Sequence, residues 1–163
     1  CFYGNFLVAL RAAVYIDTLG AEGIKDAAQK AVLNANYLME GLKEFYPVAY
    51  DRVCMHEFVL TLENLKHEKG VSAMDVAKAM LDYGIHPPTM YFPLIVHEDL
   101  MFEPTETETK ETLDEAIRVL GEIRQIAEKD AQSLHEAPHK TIIGRVDEVR
   151  AARQPVLKYA FND

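Results

Sequence analysis

From Gly84 to Ala116 the chain reads GIHPPTMYFPLIVHEDLMFEPTETETKETLDEA, and neither a helix nor a strand can run through it unbroken. Pro87, Pro88, Pro93 and Pro104 all fall in this stretch. Each fixes its own φ and lacks an N–H donor, so regular structure must stop and restart around it. Proline-braced irregular backbone is tolerated where a loop must hold a fixed shape, often beside a site. The stretch also carries His86, His97 and a Thr/Glu alternation that opens a long helix.

The elements on either side follow from apolar spacing. Asn5 to Leu19 is apolar nearly all round, with Arg11 and Asp17 its only charges. A helix of that kind must be buried on several sides, which points to a missing partner, domain or subunit. Gly20 marks a break. From Ala21 to Phe45, Ile24, Ala28, Ala31, Ala35, Leu38, Leu42 and Phe45 form one stripe, ended before Pro47. Val48 to Val53 is a candidate strand. Glu57 to Leu62 alternates Phe58, Leu60 and Leu62 against Val59 and Thr61, as a half-buried strand does. Asn64 to Gly70 is polar and reads as a loop. Ser72 and Asp75 make a capping box for a helix to Tyr83, stopped by Gly84. Met90 to Phe92 and Leu100 to Glu103 are two further short strands. Thr105 and Glu108 form a second capping box. The helix it opens carries the stripe Leu113, Ile117, Leu120, Ile123, Ala127, Ala131 and Leu134, and Pro138 stops it. A last short helix covers about Val146 to Arg153. The sum is an α+β fold: an antiparallel sheet of three or four strands with helices on one face.

Length and charge limit the function. The 163 residues suffice for one domain with a real core, and 49% hydrophobic with 26% charged is ordinary for a globular protein. A net charge of −9 argues against nucleic acid and against anionic membrane as partners. No apolar run approaches a membrane span, and the first residues do not read as a targeting peptide. A chain that begins at Cys1 without a methionine reads as a processed product or a piece of something larger. Cys1 and Cys54 are too few for a disulfide scaffold, and a reduced cytoplasmic setting fits them.

Most catalytic signatures are missing: no Gly-rich phosphate loop, no nucleophile elbow, no Cys-x-x-Cys knuckles. Cys54 with His56, and His135 with His139, have no evident third ligand, so no metal site is expected. Cys54 is read as a buried structural cysteine. Among the arginines, Arg52, Arg145, Arg150 and Arg153 are candidates to hold a carboxylate, with surface positions the simpler expectation. His86 and Thr89 flank two fixed φ angles, so they are either presented to a ligand or merely end a helix and start a strand. Glu108 suits a capping role; Glu103 and Glu106 are not explained by capping as directly.

Taken together, several stretches resemble the glycine dehydrogenase (decarboxylating) family, the P-protein of the glycine cleavage system. They are Gly4-Asn5-Phe6, Ala31 to Leu38, Cys54-Met55-His56-Glu57-Phe58-Val59-Leu60, His86-Pro87-Pro88-Thr89-Met90-Tyr91-Phe92-Pro93-Leu94-Ile95-Val96, Glu103-Pro104-Thr105-Glu106-Thr107-Glu108 with Lys110 to Asp114, and Asp147-Glu148 with Ala151 to Leu157. The match spans nearly the whole chain and is nearest the C-terminal part of subunit 2 in organisms that split the enzyme in two. The resemblance implies a fold-type I enzyme that uses pyridoxal phosphate as electron sink. It implies glycine as substrate, decarboxylated before its aminomethyl group passes to the lipoyl arm of the H-protein. The family's Schiff-base lysine lies in a His-Lys motif followed by a Gly-rich loop, and no such motif occurs here. The expectation is therefore a single small C-terminal domain over residues 1–163, inactive alone and without a catalytic residue of its own. Residues 1–46 form a helical lead-in that packs on the absent N-terminal domain of subunit 2, and subunit 1 is a further partner. His86, Thr89, Thr105 and Glu106 are expected to line the approach to the cofactor. The alternative is a stand-alone α+β ligand-binding or regulatory module without catalysis.

Overall fold

The computed structural model describes residues 3–159 and Phe161. Cys1, one of the two cysteines, lies outside them. The chain starts with α1 (Phe6–Leu42), capped by the Asn5 side chain, which accepts from the Val8 N–H at 3.3 Å. Gly20 interrupts α1 at φ 63° and ψ −176°, a conformation that favours glycine. The kink divides the element by environment. Every residue of α1 before Leu19 is exposed, whereas Ala35, Leu38, Met39 and Leu42 after it are buried.

Past α1, Tyr46 is buried and its hydroxyl donates to the Leu120 carbonyl at 3.0 Å. Burial drives that phenol's pKa upward. The strand expected at Val48 to Val53 is reduced to a single bridge between Val48 and Leu60. The Arg52 N–H turns back onto the Tyr50 carbonyl at 2.9 Å, so the ladder stops there, and just past the segment the chain is fixed by Asn36. Its amide grips the Cys54 backbone from both sides, accepting from the N–H at 3.0 Å and donating to the carbonyl at 2.8 Å. Backbone held that way is unavailable to a ladder.

Three strands form one antiparallel sheet among the described residues: β1 (Phe58–Thr61), β2 (Thr89–Met90) and β3 (Asp99–Phe102), in the order β1-β3-β2. Phe58 pairs with Phe102 and Leu60 with Leu100, while Thr89 and Val59 both oppose Met101. The Phe58 and Phe102 rings stack at 5.5 Å on the helix-facing side. The opposite face was expected to be wet. Val59 there is only 8% exposed and Met101 9%, so the alternation marks which side meets the helices but not which side meets solvent.

Two helices follow β1. Of residues 64–70, expected as a loop, all but the last belong to α2 (Glu63–Lys69), which Gly70 caps at φ 76°. Its single anchor, Leu65, is too little for an apolar stripe to register. Next, α3 (Ala73–Leu81) begins in the expected capping box: Ser72 accepts from the Asp75 N–H while the Asp75 carboxylate accepts from the Ser72 N–H at 2.8 Å. It ends in a Schellman arrangement. Ile85 N–H reaches Met80 O and Gly84 N–H reaches Leu81 O, with Gly84 at φ 74°.

The expected long helix after Pro104 is shifted and broken. Thr109, not Thr105, caps α4 (Lys110–Lys129), accepting from the Thr112 N–H at 3.3 Å. At Asp130, φ −150° and ψ 71° end it, and the same residue caps α5 (Ala131–Glu136). Neither Pro nor Gly marks that break. A short α6 (Glu148–Arg153), with no buried residue, lies in the tail.

The core joins the helix-facing side of the sheet to the second part of α1, α3 and α4. α1 and α4 approach closely at Gly41, where a Cβ would run into the Ile117 side chain, and just past α1 the Phe45 ring covers Gly121; a Cβ built at residue 121 would stand 2.9 Å from the ring's Cζ. At the other end Asp75 also binds the tail. Arg145 reaches its carboxylate at 2.9 Å and donates to the Leu134 and Ala137 carbonyls, while His135 Nδ1 stands 3.2 Å away. Burial pushes the Asp75 carboxyl up, but the hydrogen bonds from Ser72 and Arg145 outweigh it and hold the group below its ordinary range.

Two predictions come from the core. Gly121→Val drives a side chain into the Phe45 ring and should cost about 1–3 kcal/mol in urea unfolding; an unchanged midpoint and slope contradict the packing. Asp99 is fully buried and neither carboxylate oxygen has a hydrogen-bond partner among the described residues. Burial raises its pKa above the ordinary 3.8, and the nearby Phe92 and Tyr91 main-chain groups only partly oppose the shift. The folded state therefore keeps its proton where the unfolded chain has lost it. Asp99 supports stability most fully below pH 3.8, and that support is lost as pH rises through the folded value. The stability of wild type relative to Asp99→Asn should fall over that window, by at most about 1.4 kcal/mol per pH unit. Parallel pH–stability curves contradict it.

Candidate functional site

The irregular stretch builds one wall of a cleft. The Schellman turn at Gly84 ends α3 and reverses the chain, Pro87 and Pro88 fix two φ angles, and Thr89 starts β2. Facing this wall are Glu103, Pro104 and the first two turns of α4. Leu38, Met80, Ile85, Phe102 and Leu113 supply the apolar lining of a cleft of about 740 Å³. His86 and Thr89 line it, and both are exposed to solvent.

Thr105 and Glu106 do not line it. They occupy the turn between Pro104 and α4, and that turn is fastened to α1. Asn34 donates its amide to the Thr105 carbonyl at 2.9 Å and to the Glu108 carbonyl at 3.1 Å. The Tyr15 hydroxyl donates to Glu106 at 2.6 Å. That bond lowers the Glu106 pKa and raises that of Tyr15. One turn on, Asp114 accepts from Lys110 at 2.6 Å and from Tyr37 at 2.5 Å. Lys110 first, then Tyr37, holds its carboxyl below the ordinary range. Glu106 and Thr105 thus shape the turn whose neighbours, Pro104 and Glu108, form the lip of the cleft.

Sequence spacing had more to give here. Glu108, Glu111 and Glu115 recur every three and four residues, which sets them on one helical face, and together with Glu103 they make the cleft's rim acidic. Glu115 is paired with Arg118 at 2.5 Å; Glu103, Glu108 and Glu111 have no ion-pair partner among the described residues. Among the described residues no lysine or arginine lines the cleft.

Those observations decide which groups the cleft suits. A pyridoxal phosphate needs a lysine for its carbonyl carbon and donors or cations for its phosphate. This lining supplies no lysine and no cation, has His86 and the Thr89 and Thr112 hydroxyls among its donors, and surrounds the space with carboxylates, so the residues here do not fit as the cofactor's holder. Among the described residues no three His, Cys, Asp or Glu side chains are grouped to hold a metal ion. Cys54 lies outside any strand and is half-buried, with burial raising its thiol pKa. His56 is exposed and faces Glu57 at 3.8 Å. His139 is spent on the Ser133 carbonyl at 2.9 Å, and Arg145 on Asp75.

The fold and sequence have clear relatives. Residues 27–142 match the family described as glycine dehydrogenase, C-terminal domain. The probable glycine dehydrogenase (decarboxylating) subunit 2 of Treponema denticola is 62% identical over 97% of this chain and 33% of its own length. Its counterpart from Thermosipho melanesiensis is 54% identical over 99% of this chain and 34% of its own. The chain thus spans about a third of the length of these curated relatives. A crystal structure of glycine decarboxylase (P-protein) of the glycine cleavage system, in inhibitor-bound form, superposes with a TM-score of 0.61 at 28% identity, covering 72% of this chain and 26% of that one. With its sheet order, its helices and its proline-braced wall in place, the chain belongs to the glycine dehydrogenase C-terminal domain family.

Proposed function

We propose that this chain forms the C-terminal third of subunit 2 of a cytoplasmic, pyridoxal-phosphate-dependent glycine decarboxylase, and that it supplies a wall of the active site rather than its chemistry. The observation that carries this reading is the cleft held open beside His86-Pro87-Pro88-Thr89, in a chain whose relatives are named for glycine dehydrogenase subunit 2. Glycine is the substrate, and the aminomethyl acceptor is the lipoyl arm of the H-protein. The Schiff-base lysine, and the cations that receive the cofactor's phosphate and the glycine carboxylate, come from outside this lining.

Within that division of labour the residues have distinct tasks. The two prolines hold His86 in a fixed place, so little backbone entropy is lost when it meets a ligand. Thr89 offers a hydroxyl across from the acidic rim. Thr105 and Glu106 keep the lip in position through Asn34 and Tyr15. The exposed apolar first part of α1, with Phe6 76% and Leu7 69% exposed, is covered by the remaining two thirds of subunit 2, and subunit 1 completes the assembly.

The test uses the whole enzyme. His86→Ala should lower glycine–CO2 exchange by about 100-fold, a loss typical of a misplaced active-site group. Its urea unfolding curve should match wild type, because His86 is exposed and makes no hydrogen bond among the described residues. Exchange at the wild-type rate in a normally folded variant overturns the assignment.

A further inference from the structure

Two side chains of α1 hold the lip of the cleft, and they stand on opposite sides of the Gly20 kink. Asn34, behind the kink and next to buried Ala35, fixes the Thr105 and Glu108 carbonyls at the two ends of the turn. Tyr15, ahead of the kink, holds the Glu106 carboxylate between them. Among the described residues that is the one hydrogen bond joining the part of α1 before Gly20 to the rest of the domain; Asn5 and Thr18 bond only to Val8 and Val14. Packing does not fix the angle of that part, because Phe6, Leu7, Val14 and Ile16 are all exposed. Gly20 is a joint by its backbone alone. A Cβ there meets nothing within 4 Å, while φ 63° with ψ −176° strains any residue that carries one.

We propose that Tyr15 is a positioning residue for the cleft, through which the body that covers the front of α1 sets the lip as it docks. That body is the remaining two thirds of subunit 2, since this chain spans 33% and 34% of the lengths of its relatives. A polypeptide of that size can bury the apolar helix that this domain leaves open. Swinging the front of α1 about Gly20 moves the Tyr15 hydroxyl, and Glu106 moves with it. The turn then shifts, and with it Pro104 and Glu108, which line the cleft across from His86. Coupling of this kind is reciprocal, so a group that fixes the lip from inside the cleft also steadies the front of α1. This role rests on the reading of the cleft as an active-site wall and adds that the wall is complete only in the assembled subunit.

The experiment digests the whole enzyme with a glutamate-specific protease. Cleavage between Glu106 and Thr107 requires the Glu106 side chain to enter the protease, so its initial rate reads the Tyr15 bond directly. Tyr15→Phe keeps the ring and loses the donor, whereas Tyr15→Lys loses the ring and keeps a donor of similar reach. Cleavage should be about fivefold faster than wild type in Tyr15→Phe, as the loss of one hydrogen bond implies, and near the wild-type rate in Tyr15→Lys. Gly20→Ala should speed it by a similar factor, and the double variant Gly20→Ala/Tyr15→Phe should be no faster than either alone. Four results each overturn the proposal: wild-type cleavage in Tyr15→Phe, fast cleavage in Tyr15→Lys, wild-type cleavage in Gly20→Ala, or two effects that multiply in the double variant. The active-site reading fails by a different result, a lip loosened as expected in Tyr15→Phe while glycine–CO2 exchange stays at the wild-type rate.

Discussion

The close approach of α1 and α4 is the constraint on which the rest of the molecule depends. It exists because residue 41 has no side chain, so Ile117 of α4 can lie against the α1 backbone, and because residue 121 has none, so the Phe45 ring just past α1 can lie against the α4 backbone. Tyr46 then reaches the Leu120 carbonyl and closes the buried end of the contact. Leu38 and Leu42 from one helix, with Leu113, Leu120 and Ile123 from the other, form an apolar shelf. The short sheet rests on that shelf through Phe58, Leu60, Leu100 and Phe102. A four-residue strand has little stability alone, and here it is held by what lies beneath it.

From that shelf the cleft follows. α3 ends at its edge in a left-handed glycine, the prolines carry the chain along one side, and α4 starts on the other. The lip is set by long-range hydrogen bonds rather than by local preference. Asn34 and Tyr15 pull the turn at Thr105 and Glu106 onto α1, which delays the start of α4 until Thr109. The result is an acid-rimmed space suited to cationic or apolar groups.

How much of this was legible depended on whether the signal was local. Ser72-x-x-Asp75 and Gly84 marked α3 correctly, because capping is settled by residues three apart. The Thr-Glu-Thr-Glu-Thr run was ambiguous for the same reason: Thr105, Thr107 and Thr109 are all acceptable caps, and the choice was made by Asn34, 71 residues away from Thr105. The α2 helix was hidden because Leu65 is its only buried residue. Asp130 broke the last long helix without a Pro or Gly to announce it. For the site, the proline-braced wall stood out in the sequence, whereas on the opposite acidic wall Glu108 was read as a cap, Glu103 was set apart from capping, and Glu111 and Glu115 passed unread despite their spacing. The family resemblance rested on long motifs, and the comparisons support it.

Asp75 joins two jobs that the fold might have kept apart. The same carboxylate caps α3 and receives Arg145 at the root of the tail. The two bonds use different oxygens of one side chain, so α3 cannot fray from that end without moving the carboxylate that holds the tail. In the language of native-state amide exchange, the two segments share one opening event. Whatever grips the tail thereby protects a helix at the centre of the domain that it never touches.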